Sequence, residues 1–238
     1  MDEGWTRWVL REFDWEALTR SRVNVPQFLS LTNDRLRSVQ SSETKVIIFP
    51  DQPANQILNG YAKGSMPDEY AGGVGKEGVE NLRKFVEAGG TLVFLNRASN
   101  FAIEQFNLPV RDVTNGLPRK DFYIPGSILR TELDLTSPVA KGMPKDSIAW
   151  FEQSPAFEIV NAAGGTDKIR VIARYPSDPK QILLSGWALG AEKIAGKAAL
   201  VEVTMGKGKI ILFGFRPQYR GQSLATFPLL FNSISNSN

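Results

Sequence analysis

The chain contains no histidine and no cysteine among its 238 residues. Without cysteine it cannot form disulfides or thiolate metal sites, and it has no thiol nucleophile. Without histidine it lacks the most frequent general base and a frequent zinc ligand. Enzymes that depend on either side chain are therefore excluded. No metal site and no cofactor are predicted. Any catalytic chemistry would depend on carboxylates, hydroxyls, amides and cations.

Long hydrophobic runs and a surplus of one charge are also missing. Apolar runs such as Ile210 to Phe213 are far too short to cross a bilayer, and the N-terminal residues lack the apolar core of a secretory signal. The net charge is only +3, with basic residues scattered among acidic ones. This pattern predicts no membrane span and no nucleic-acid partner. It leaves the localisation undetermined.

Apolar runs and helical patterns alternate along much of the chain. Lys45 to Pro50 and Thr91 to Leu95 are short runs typical of buried parallel strands. Helices are predicted at Lys76 to Ala88 and Ala98 to Phe106, the first ended by a glycine pair. This alternation predicts an α/β fold with a doubly wound, mostly parallel sheet.

The two ends and the middle of the chain have other patterns. An N-terminal helix is predicted over residues 3 to 13, capped by Asp2 or Thr6. Proline and glycine punctuate short apolar pieces at Ile128 to Leu135, Ala156 to Val160 and Ile169 to Tyr175, which predict a β-rich insertion at about 109 to 180 in a single domain over 1 to 238. Two further strands, Ala198 to Thr204 and Lys209 to Phe215, form a predicted hairpin before a closing helix at Thr226 to Ile234.

A glycine cluster precedes the predicted helix Lys76 to Ala88. Gly72-Gly73-Val74-Gly75-Lys76 could place an anion at a helix N-terminus, but it lacks the P-loop spacing and continues with Glu77. We interpret it as a turn before a helix.

Polar residues follow two of the predicted strands. Asn96 comes directly after the strand Thr91 to Leu95, and Phe215-Arg216-Pro217-Gln218 lies at the end of the strand Lys209 to Phe215. Both strand ends resemble those of class I glutamine amidotransferases, which have a cysteine in the place of Asn96 and Phe-His-Pro-Glu in the place of residues 215–218. The resemblance implies a flavodoxin-like fold and puts Asn96, Arg216 and Gln218 at the positions of the catalytic triad. None of the three can perform the matching chemical role, because an amide forms no thioester and arginine stays protonated. The resemblance therefore implies a degenerate triad and a pseudoenzyme.

Four segments carry a more particular resemblance. They begin at Asp2 (DEGWTRW), Tyr70 (YAGGVG), Leu184 (LSGWALG) and Gly214 (GFRPQ). They resemble the amidotransferase-like C-terminal region of bacterial zinc-carboxypeptidase-like proteins. The resemblance implies a zinc-peptidase-like partner domain and an exported bacterial parent protein. In that family a short apolar strand precedes the first segment. Two alternatives stay open: the chain is a fragment, or the region Ser21 to Phe28 fills the gap.

These observations lead to one hypothesis and two alternatives. The hypothesis is a non-catalytic domain that docks to a zinc-peptidase-like partner or binds a small anionic or sugar-like ligand. The alternatives are a hydrolase that acts through carboxylates or a serine, and a purely structural domain. Ligands of α/β sheets bind outside the carboxyl ends of the strands. The candidate ligand-binding residues there are Asp51, Asn96, Arg97, Arg216, Gln218 and Arg220, unless these side chains merely satisfy one another.

Overall fold

The computed structural model describes residues 1–13, 28–36, 38–39, 44–160 and 169–235. In these residues the helices are α1 Asp2–Glu12, α2 Asn33–Leu36, α3 Ala54–Asn59, α4 Gly75–Glu87, α5 Ala98–Phe106 and α6 Phe227–Ser235. The strands are β1 Val46–Phe49, β2 Thr91–Leu95, β3 Val110–Asp112, β4 Pro125–Leu133, β5 Asp146–Glu152, β6 Phe157–Ile159, β7 Ile169–Arg174, β8 Leu183–Ser185, β9 Ala198–Met205 and β10 Gly208–Phe213. None of the described helices is long and apolar enough to span a bilayer.

The described strands form one sheet in the order β1-β2-β10-β9-β7-β4-β5. The strands β3, β6 and β8 pair beside this path. β2 is parallel to both of its neighbours, β1 and β10. The remaining pairings are antiparallel. The strand ends that matter for a ligand site are therefore those of β1, β2 and β10.

Helices cover both faces of the parallel strands. Every residue of β2 is buried, and successive side chains of a strand point to opposite faces. On one face Phe94 stacks on Phe49 with ring centroids 4.6 Å apart and packs near Phe101 of α5. On the other face Val93 and Leu95 join a second apolar core that includes residues of α6. This two-sided packing is the doubly wound arrangement.

The predicted flavodoxin-like α/β fold class is confirmed, with a larger antiparallel share than the sequence suggested. A two-residue turn, Gly206-Lys207, joins β9 to β10, and so short a turn can connect only antiparallel strands. The strands of residues 110–185 extend this antiparallel part of the sheet. A separate insertion at about 109 to 180 remains a prediction.

The predicted capping of α1 is wrong. The helix begins at Asp2 and Met1 is its N-cap, without a side-chain capping bond. Thr6 lies inside the helix, where its hydroxyl donates to the backbone oxygen of Asp2 over 2.8 Å. The region Ser21 to Phe28, predicted as a substitute for a missing strand, lies outside the described residues except for Phe28.

Candidate functional site

The carboxyl ends of three adjacent parallel strands bring polar side chains together. Asp51 follows β1, Asn96 and Arg97 follow β2, and Arg216 follows β10. Because β2 lies between β1 and β10, all three ends meet at one edge of the sheet. This is the place where open α/β sheets bind ligands.

The carboxylate of Asp51 is the centre of the cluster, with a side chain only 1% exposed. Asn96 Nδ2 donates to it over 2.9 Å. Arg97 donates through its backbone N–H, through Nε over 2.9 Å and through Nη2 over 2.6 Å. Arg216 Nη2 donates over 2.5 Å. Both carboxylate oxygens therefore have charged donors, as a buried carboxylate requires.

These donors control the ionisation of Asp51. Burial alone would raise the pKa of the carboxyl group, because it disfavours the charged form. The hydrogen bonds from Arg97 and the charge of Arg216 outweigh burial, and the pKa of Asp51 lies below its ordinary value. The carboxylate is thus held ionised, and it is a poor proton acceptor near neutral pH.

Asn96 occupies a sharp turn between β2 and α5. Its φ of 55° lies in the left-handed region, which asparagine tolerates better than most residues. A strained turn from strand to helix is also how some hydrolases present a nucleophile. Here the side chain is fully buried and bonded to Asp51. Its Oδ1 has no hydrogen-bond partner among the described residues.

Arg216 connects the cluster to two further elements. Its Nε lies 3.1 Å from Asp2 Oδ1 at the start of α1. Its Nη1 donates over 3.0 Å to the backbone oxygen of Glu152, the last residue of β5, and lies 3.5 Å from the carboxylate of the same residue. With 8% of its side chain exposed, the guanidinium is surrounded by acceptors of the protein itself.

Gln218 and Arg220 lie apart from Asp51. Gln218 is fully buried, and its Nε2 donates over 3.0 Å to the hydroxyl of Thr6. Arg220 is exposed, with its guanidinium 5.2 Å from the ring centre of Tyr219. Of the six candidate residues, the structure joins Asp51, Asn96, Arg97 and Arg216 in one network. Gln218 touches it only indirectly, through Thr6 and α1.

Sequence reasoning missed three contributors to this site. Glu152 was missed because no strand was predicted at its position. Asp2 and Thr6 were considered as helix caps and as part of the segment DEGWTRW, but not as site residues, although Asp2 pairs with Arg216 and Thr6 accepts from Gln218. Their spacing of four residues, which places them on one face of a helix, is the signal that was available.

A cavity of about 430 Å³ lies beside the cluster. Its walls come from α1, the segment 28–36 that includes α2, β1, α3 and the loop around Gly72. The polar residues near the strand ends that line it include Asp2, Thr6, Asp51, Gln52 and Gln56. A cavity of this size suits a small ligand or a short peptide.

The glycine cluster is a close crossing of two backbone segments. A Cβ on Gly73 would lie 2.4 Å from the backbone oxygen of Leu58, and one on Gly60 would lie 1.8 Å from that of Gly72. Only glycine fits such an approach. The interpretation as a turn before a helix agrees with this geometry, and α4 begins at Gly75.

No family model matches the chain, and no curated protein matches it in sequence. A cytoplasmic protein of Salmonella typhimurium LT2 is similar in structure, with a TM-score of 0.51, 13% identity, and coverage of 99% of this chain and 88% of that chain. A second Salmonella typhimurium cytoplasmic protein has a TM-score of 0.50, 15% identity, and coverage of 97% and 84%. A Thermoplasma acidophilum protein described as a GMP synthase component reaches 0.44, with 11% identity and coverage of 84% and 79%. At these identities the likeness concerns the fold alone. Together with the sheet topology, the two matches with TM-scores of 0.50 and 0.51 support a mixed α/β fold.

Proposed function

We propose that this chain is a non-catalytic, amidotransferase-like binding domain. One observation carries the proposal: Asn96 and Arg216, at the positions that resemble the nucleophile and its base, both donate to the carboxylate of Asp51. A nucleophile or a general base must be able to reach the substrate with its reacting atom. These two side chains are instead committed to a buried neighbour.

The chemistry of the three positions that resemble the catalytic triad agrees with a non-catalytic role. The amide of Asn96 is a poor nucleophile, and its side chain is fully buried. The guanidinium of Arg216 has five N–H donors and no acceptor, so it cannot act as a general base. Gln218 carries no charge to stabilise a cationic base and donates to Thr6. The three replacements support binding in place of catalysis.

Charge balance favours docking to a protein over binding a small anion. Arg216 faces three carboxylates, those of Asp2, Asp51 and Glu152. Arg97 is the more accessible guanidinium, with a side chain 33% exposed, but it also pairs with Asp51. An anion would have to displace these carboxylates. A neutral sugar-like ligand or a protein segment meets no such competition.

The proposed partner is a zinc-carboxypeptidase-like domain. This part of the proposal rests on the four segments quoted above, which resemble a domain found in such proteins. Size-exclusion chromatography of this chain mixed with a zinc-carboxypeptidase-like domain tests it directly. We expect co-elution, and independent elution at concentrations of tens of micromolar would contradict the partner but not the absence of catalysis.

Absence of catalysis is tested by turnover of peptide, ester and glycoside substrates. We expect wild-type rates equal to those of buffer. Asp51→Asn and Glu152→Gln serve as matched variants, because each removes one carboxylate of the cluster. Wild-type turnover that either variant abolishes would overturn the proposal in favour of a carboxylate-dependent hydrolase.

A further inference from the structure

β1 forms one end of the described sheet. In the part of the chain that the structure describes, it pairs with β2 alone. The second edge of β1 therefore has no strand partner among the described residues. An exposed strand edge presents a row of N–H and C=O groups that a further strand can pair with.

The cavity runs along this second edge. All residues from Val46 to Pro50 line it. Ile47 and Phe49 belong to the core on one face of the sheet, whereas Val46 and Ile48 pack against the core on the other face. Because successive side chains point to opposite faces, one cavity can touch all of them only by following the strand edge.

The direction of the backbone groups follows from one hydrogen bond. The N–H of Thr91 in β2 donates to the backbone oxygen of Lys45 over 2.9 Å. The N–H and C=O of one residue point to the same side of a strand, and successive residues alternate. Ile47 and Phe49 therefore face β2, as Lys45 does. Val46 and Ile48 direct two donors and two acceptors towards the cavity.

The rest of the lining is apolar or electrically balanced. Apolar walls come from α1, α2 and α3, including Leu10, Leu36 and Ile57. At the strand-end side, Asp51 is paired with Arg97 and Arg216, and Asp2 is paired with Arg216. Glu3 is paired with Arg7 of the same helix. Each charged side chain that lines the cavity thus has a partner of opposite charge within the protein, and the complementary occupant is uncharged.

We propose that the cavity binds an uncharged, extended peptide segment of a partner protein, which adds to β1 as a further strand. Peptides recognise sheet edges in this way through backbone hydrogen bonds, and pockets accept alternate side chains. The four residues of β1 extend over about 13 Å, which sets the length of the paired segment at about four residues. This inference deepens the proposed binding role by naming its ligand class, and it does not depend on the absence of catalysis.

The backbone pairing can be tested with a peptide whose backbone N–H donors are removed by N-methylation. The probe is unlabelled acetyl-Val-Thr-Val-Thr-Val-amide, compared by isothermal titration calorimetry with one version N-methylated on its valines and one N-methylated on its threonines. Pairing uses one set of alternate N–H groups, so we expect at least one methylated peptide to bind about tenfold or more weakly, the equivalent of about one hydrogen bond. No binding of the parent peptide, or equal binding of all three, would overturn the inference.

A variant of β1 gives the matching test on the protein. Ile48→Pro removes an N–H that faces the cavity, and proline is tolerated on an edge strand when that group is outside the ladder. Ile48→Val keeps the N–H and is the control. We expect Ile48→Pro to bind the parent peptide about tenfold more weakly, with an unchanged circular dichroism spectrum, and Ile48→Val to bind as wild type. Equal affinity of a folded Ile48→Pro would contradict pairing with β1. It would not contradict the proposed absence of catalysis, which the turnover assays test separately.

Discussion

Arg216 donates a 2.5 Å hydrogen bond to the buried carboxylate of Asp51, and this ion pair spans the end of β2. It joins the end of β10 to the end of β1, with Asn96 of the intervening turn bonded to the same carboxylate. The strand ends are therefore tied to one another through a single buried charge.

Removing one partner of this ion pair should destabilise the fold. Arg216→Met leaves the buried Asp51 with Arg97 as its remaining cation, and breaking a buried pair costs about 3 kcal/mol. We expect the free energy of unfolding, measured in urea, to fall by about that amount. In Asp51→Asn/Arg216→Met the buried charge is gone, so the double variant should be more stable than the sum of the single effects predicts, by about 1 kcal/mol or more. Additive effects would show that the two side chains are not coupled.

Acid should weaken the fold through Asp51. Its pKa is lower in the folded protein than in the unfolded chain, so its stabilisation is present above the unfolded value of about 4 and is lost as the pH falls through the folded value. Unfolding free energies of wild type and Asp51→Asn, measured from pH 6 to pH 2, should converge towards low pH. Parallel curves for the two proteins would rule out a perturbed Asp51.

Replacing Gly73 or Gly4 with alanine should change the stability of the protein in opposite directions. In Gly73→Ala the new Cβ would lie 2.4 Å from the backbone oxygen of Leu58, so we expect a loss of about 1–3 kcal/mol from overpacking. Gly4 lies within α1 and has no atom within 4 Å of an added Cβ. Gly4→Ala should therefore gain about 0.5–1 kcal/mol through helix propensity. Thermal unfolding of both variants checks the pair, and a stable Gly73→Ala would mean that the loop crossing is looser than described.

Removing the hydroxyl of Tyr175 should stabilise the fold. The side chain is fully buried, and its hydroxyl has no hydrogen-bond partner among the described residues. Tyr175→Phe keeps the ring and should raise the free energy of unfolding by about 1 kcal/mol. Burial also holds the pKa of Tyr175 well above its usual value, so wild type should lose stability as the pH rises past about 10, where the unfolded tyrosine ionises. Tyr175→Phe should lose less, and a destabilised variant would indicate a partner for the hydroxyl.

The parallel part of the fold was predictable from local patterns. Thr91 to Leu95 and Ala98 to Phe106 have the bounds that the sequence predicts, because an unbroken apolar run and a helical stripe flank a short polar turn. The meeting of Asp51, Asn96 and Arg216 follows from placing polar residues after adjacent parallel strands. Their hydrogen bonds, however, depend on side-chain directions that spacing alone does not give.

The antiparallel part was harder because its signals are weak. In β5 the buried positions include the small residues Ser147 and Ala149, so the strand lacks a clear hydrophobic alternation. With β5 unpredicted, the contact between Arg216 and Glu152 could not be anticipated. The pairing of Arg216 with Asp2 was equally hidden, since it depends on how α1 packs at the end of β10.

Ammonia release from glutamine is the measurement that tests the central claim most directly. The chain would be assayed beside Asn96→Ala, with the unfolding free energy of both proteins measured in the same buffer. If the cluster at the strand ends is structural, wild type releases ammonia no faster than buffer, and Asn96→Ala changes stability alone. Release above the buffer rate that Asn96→Ala abolishes would show that the cluster is a catalytic centre.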